Sequence, residues 1–194
     1  MINEELLKMA GEEGFIAAVI TPEEIPVNGK FRRFCEENLC GKYNANYSCP
    51  PACGTVEELH TKLLAEEKIL VVETIYEIES YEDQKAINHS KVTHNQAVLR
   101  LFDRLRDAGY AGFCSGYNGC PLCSPCKQEV GEPCAYPERR ISCMSAYCID
   151  VAELASRCGL EFAWTPGLLH LFGMIALHEK GGEGSDNVES ENFT

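Results

Sequence analysis

The chain has 194 residues and 45% apolar content, enough to build one ordinary hydrophobic core without covalent staples. A core too small to hold itself, the usual reason for dense disulfides, therefore does not explain its 12 cysteines. With 17 basic against 30 acidic side chains the net charge is −13, the wrong sign for a phosphate backbone, so nucleic acid is excluded as an expected partner.

In chain order, residues 4–11 read as a short helix and the compact apolar run at residues 15–20 as a buried strand. That run is too short for a signal-peptide core. The longest later apolar stretch, residues 168–177, is broken by His170 and Gly173 and falls short of the roughly 20 residues a membrane span needs. The expected setting is the reducing cytoplasm, where clustered thiols persist as thiolates or metal ligands.

Residues 35–53 hold the first cysteine segment, rich in Asn, Gly, Pro and Tyr, and read as a loop. Thr55-Val-Glu-Glu58 has the form of a capping box, and Leu59, Leu63 and Leu64 continue it as an amphipathic helix to about Glu67. Residues 69–78 are rich in β-branched and aromatic side chains and predict a long strand. Val98, Leu101, Phe102 and Leu105 recur at helical spacing within a helix over residues 83–108, with Gly109 as its C-cap. A strand over 110–117 leads into the second cysteine segment, 120–134, followed by a helix over 150–158 and strands at 162–164 and 168–177.

Strands alternating with helices predict an α/β fold, a mixed sheet flanked by helices and carrying two cysteine-rich metal-binding loops. An α+β, ferredoxin-like arrangement is the alternative. Residues 1–178 are expected to form one metal-binding domain and residues 179–194, rich in Gly, Ser, Asn and Glu, a disordered acidic tail.

The sharper chemical signal is Cys120-x2-Cys123-x2-Cys126 followed by Cys134. Two-residue gaps let three thiolates of one tight loop converge on a single cluster face, and a fourth, more distant thiolate closes the site. Zinc competes, because Cys-x2-Cys is also a zinc half-site, but the third cysteine at the same step is better explained by a cubane. The other set is Cys35-x4-Cys40-x8-Cys49-Pro-Pro-Ala-Cys53, whose spacing is less diagnostic. The helix beginning near Thr55 is expected to point its positive end back at Cys53 and favour a thiolate or anionic cluster there. Cys143 and Cys148, just before the 150–158 helix, are weighed as further ligands and read as buried structural thiols, as are Cys114 and Cys158. His170 is the one histidine considered near a site, and Arg139 and Arg140 are candidate donors to cluster sulfides or solvated side chains.

The run Cys35-x4-Cys40-x2-Tyr43-x5-Cys49-Pro50-Pro51, together with Cys120-x2-Cys123-x2-Cys126, Pro133-Cys134-x2-Pro137-Glu138, Arg140, Met144, Ala146 and Ile149-Asp150-Val151, resembles a cysteine-rich prokaryotic family. It is catalogued as predicted metal-binding proteins, domain of unknown function 2284. The resemblance covers residues 15–177 and implies metal binding, iron-sulfur in kind, at Cys35, Cys40, Cys49, Cys120, Cys123, Cys126 and Cys134. It implies no substrate. The chain departs from that pattern at Cys143, Ser145 and Cys148, where Ser, Glu and Gly are usual.

These readings favour an iron-sulfur protein with one or two [4Fe-4S] clusters that passes electrons to a redox partner protein, by itself or as a subunit of an oxidoreductase. A reductase or dehydratase with an open cluster iron, and a structural zinc module, are the alternatives. The acidic surface suits a partner with a basic docking patch. No catalytic residue, substrate or oligomeric state is legible.

Overall fold

The computed structural model describes residues 2–180, and over them five α-helices and five strands form one mixed sheet with helices on both faces, an α/β architecture as predicted. The helices are α1 (Ile2–Glu12), α2 (Arg32–Glu36), α3 (Val56–Leu64), α4 (Gln84–Asp107) and α5 (Val151–Cys158). The strands are β1 (Ile16–Ile20), β2 (Lys68–Glu77), β3 (Tyr110–Gly116), β4 (Ile141–Cys143) and β5 (Leu168–Glu179). The acidic tail, apart from Glu179 at the end of β5 and Lys180, lies outside the described residues. No described helix is long and apolar enough to cross a membrane.

Local chemistry sets the helix ends. Thr55 and Glu58 exchange hydrogen bonds, the Thr55 hydroxyl accepting from the Glu58 amide at 3.1 Å and the Glu58 carboxylate from the Thr55 amide at 2.8 Å, which fixes the start of α3. Asp83 caps α4 by accepting from the amides of Lys85 and Ala86, and Asp150 caps α5 by accepting from Glu153.

The sheet order is β1-β2-β5-β3-β4. Every neighbouring pair is antiparallel except β3 with β4. Because successive side chains point to opposite faces, Leu70 and Val72 of β2 meet α1 and α4 on one side, packing with Leu6, Val98, Leu101 and Phe102. Ile69 and Val71 meet the other layer, with Leu59 and Leu63 of α3 and Leu154 of α5. A sheet covered on both faces reads in sequence as unbroken apolar runs, which is why β2 and β5 are easy to place.

Three differences from the sequence reading stand out. Residues 162–164 form no strand: the Phe162 ring lies against Phe172, centroids 5.9 Å apart, and the Trp164 ring against Tyr81 at 5.3 Å. These aromatics cover the sheet face and loops instead of pairing. The last strand in the sheet order is β4, three residues ending at Cys143, and its register sets Cys143 opposite Gly116 of β3. The carboxyl ends of the two parallel strands thus open side by side, the place where open α/β sheets form crevices. The first cysteine segment is also not all loop, since Cys35 sits on α2.

Candidate metal centre

Cys35, Cys40, Cys49 and Cys143 line one cavity of about 210 Å³, floored by residues 116–119 at the end of β3. Cys49 is buried, Cys35 and Cys143 are half-buried, and Cys40 is exposed at the rim beside Leu39, itself 89% exposed. The long-range placement has a clear cause. Val27 bridges Ile149, the Asn28 amide donates to the Cys148 carbonyl at 2.8 Å, and the Asp150 amide donates to the Pro26 carbonyl at 2.9 Å. This pairing brings α2, with Cys35, against the turn at residues 144–147 that follows Cys143. Cys143 thereby shares the cavity with Cys35 and Cys49, close enough for their protonation to be linked.

Two of these thiols, Cys35 and Cys143, are held protonated. The Cys35 thiol is pushed well above its ordinary range, first by its hydrogen bond with Cys143 and then by burial. Cys143 is eased down by Cys35, but its bond to Cys49 and its burial outweigh that and push it up to about 12. Gathered thiols resist losing several protons in the absence of positive charge, so a metal that binds them displaces protons.

Cys53 is elsewhere. It is absent from this cavity's lining and packs on the α3 and α5 side of the core, with its thiol directed at the Gly54 carbonyl 3.9 Å away. Burial raises it and the Arg32 guanidinium beside it opposes the rise. The expected attraction from the α3 N-terminus is not available, because the Glu58 carboxylate already occupies that end of the helix.

Cys120, Cys123, Cys126 and Cys134, the set singled out by spacing, line a second cavity together with Tyr47 and Arg140. It is nearly closed, about 10 Å³, room for roughly one water. Its loop holds one 3-10 turn, Lys127–Val130, and few anchors, the Tyr47 hydroxyl donating to the Glu132 carbonyl at 2.8 Å among them. Among the described residues no three His, Cys, Asp or Glu side chains form a compact set around one ion. The cysteines line cavities instead, four to each.

The two cavities are neighbours. The buried Asn46 amide donates to the Cys120 carbonyl at 3.1 Å, and a Cβ built on Gly119, whose φ is +71°, would lie 2.9 Å from the Cys49 sulfur. Only glycine permits that approach at that backbone conformation. On α4, Asn95 holds the same stretch by donating to the Tyr117 carbonyl at 2.7 Å and accepting from its amide at 2.9 Å. The backbone that floors the first cavity becomes, one residue later, the first thiol of the second.

The remaining candidates are placed otherwise. Cys114 is buried in β3, Cys148 is buried after the 144–147 turn, and Cys158 closes α5. His170 pairs with Glu73 across β5 and β2 at 2.7 Å, both buried, and lines neither cysteine cavity. Arg139 is committed to Asp103 of α4 by two hydrogen bonds, one of 2.9 Å, while Arg140 alone of the two reaches a thiol-lined cavity. Sequence reasoning weighed Cys143 as a ligand but read it as a structural thiol, because what brings it to the cavity is a strand pairing and not a spacing.

An all-thiol donor set is the chemistry of soft metals, and four thiolates are the set that holds iron-sulfur clusters and structural zinc. Both cavities fit such a group in donor type, and the first fits a polynuclear one in volume as well. No curated protein and no solved structure matches the chain. Residues 18–177 match the family described as predicted metal-binding protein, domain of unknown function 2284, and the chain belongs to that family.

Proposed function

We propose that the protein is an electron carrier that holds two [4Fe-4S] clusters, one in each cysteine-lined cavity, and exchanges single electrons with a partner protein. The observation that carries this is the division of eight cysteines into two sets of four around adjacent cavities joined by Asn46 and Gly119. A bound [4Fe-4S] cluster accepts and returns one electron with little rearrangement of its ligands.

The chain's own residues supply the rest. Cys35, Cys40 and Cys49 hold the first cluster, and Cys120, Cys123, Cys126 and Cys134 the second. Asn95 and Asn46 fix the backbone between them by hydrogen bonds that leave little room for drift. Cys40, Leu39 and Phe34 bring the rim of the first cavity to the surface, where a partner can approach. The net charge of −13 favours a partner with a basic docking patch. No catalytic side chain is assigned.

The near closure of the second cavity favours a second reading for that site alone, a structural zinc ion. A cubane needs the loop over residues 120–134 to spread, and a single ion does not. Potentiometric titration of the anaerobically purified protein, followed by visible and low-temperature EPR spectra, tests the proposal. Two reversible one-electron reductions are expected. A colourless protein with zinc and no labile sulfide overturns it, and one reducible cluster beside one zinc assigns zinc to the second site.

A further inference from the structure

We infer that Cys143 supplies the fourth thiolate of the first site and that Cys53 stands outside it. The inference rests on the reading that this cavity holds a cluster, and it decides the character of that cluster.

The sheet delivers Cys143. It ends β4, in register with Gly116 of β3, and Ser142 beside it donates to the Ser48 carbonyl, which ties the strand to the loop that carries Cys49. Arg139, just upstream, anchors the same segment to Asp103. The sulfur therefore reaches the cavity from a paired strand and not from a mobile loop. It lines the cavity together with Cys35, Cys40 and Cys49.

Cys53 fails on each count. Its thiol is directed at the Gly54 carbonyl, it packs against the apolar layer of α3 and α5, and Arg32, whose Nη2 donates to the Gly54 carbonyl at 3.3 Å, lies beside it. Sequence proximity to Cys49 is misleading, because the 49–53 turn, closed by the Cys53 amide donating to the Cys49 carbonyl at 3.0 Å, directs the two sulfurs to different surroundings.

With Cys143 in place all four irons carry a protein thiolate, and no coordination position remains for a substrate. The first site is then a closed electron-transfer centre, and the open-iron reductase or dehydratase reading loses its site.

The test uses full-length protein purified anaerobically, with Cys143→Ser and Cys53→Ser beside the wild type and Cys148→Ser as a control, read by iron and sulfide content and by EPR of the reduced samples. Wild type, Cys53→Ser and Cys148→Ser are expected to hold about eight iron each, and Cys143→Ser to lose about four or to show an altered first-site signal with the second unchanged. Differential alkylation of the wild type guards against a misfolded variant: Cys143 should take label only after iron is chelated, as Cys35, Cys40 and Cys49 do, while Cys53 labels equally before and after. Loss of about four iron from Cys53→Ser with an unchanged Cys143→Ser, or a Cys143 that labels freely in iron-loaded protein, overturns the assignment alone. A wild type without iron and sulfide sinks the cluster reading and the assignment together.

Discussion

The two cysteine cavities are built in opposite ways. The second takes all four of its thiols from one loop, residues 120–134, where they are neighbours because the chain is short between them. The first is gathered from α2, from the loop after it and from the end of β4, and it exists only when the sheet, the 26–28 with 148–150 pairing and α2 are all in place. One site is a property of local sequence and the other of the fold. Their stabilities should separate accordingly.

The sharpest way to separate them is to weaken the core without touching a thiol. Leu101 of α4 is fully buried against the sheet, so Leu101→Ala should cost about 3 kcal/mol through lost burial and the cavity left behind. In a denaturant titration followed by EPR, loss of the first-site signal should shift with global unfolding, and loss of the second-site signal should shift less. Equal shifts would break the comparison.

Acid gives a milder test of the same kind. His94 of α4 is fully buried between the rings of Phe15 and Tyr117 and hydrogen-bonded at Nδ1 to the Thr74 hydroxyl at 2.8 Å; burial lowers its pKa to about 4. The unfolded chain takes up this proton near pH 6.5 and the folded chain does not, so the stabilising contribution is full above pH 6.5 and falls as pH drops toward 4. The loss amounts to about 3 kcal/mol at the lower end. Urea titrations at pH 7 and pH 5 should show a fall in stability that His94→Gln reduces, with the first-site signal failing first.

Asn95→Leu removes both hydrogen bonds to Tyr117 and leaves a backbone amide and carbonyl unpaired, at a cost of about 2 kcal/mol. Because Tyr117 lies in the stretch that floors the first cavity and leads into Cys120 of the second, this variant should broaden both EPR signals, unlike the core variant. Tyr47→Phe removes only the bond to Glu132, about 1 kcal/mol, and should speed iron loss from the second site under chelation while sparing the first.

The same contrast explains what the sequence revealed. The Thr55 to Glu58 capping box, the α4 periodicity and the apolar runs of β2 and β5 are local patterns, and the structure places those elements within about three residues of expectation. The four cysteines of the 120–134 loop are local too, and they share one cavity. β4 is three residues with no period to detect, and only its pairing with β3 brings Cys143 to the first cavity. Cys53, close to Cys49 in sequence, is absent from the lining of the first cavity, and the α3 end expected to serve it is capped by Glu58. Phe162 and Trp164 misled because aromatic residues that cover a surface share the composition of a strand.

The central claim is that the eight thiols in two cavities hold two clusters. Iron and acid-labile sulfide per chain in the anaerobically purified wild-type protein test it most directly. The account predicts about eight of each, and zinc with no labile sulfide would contradict it.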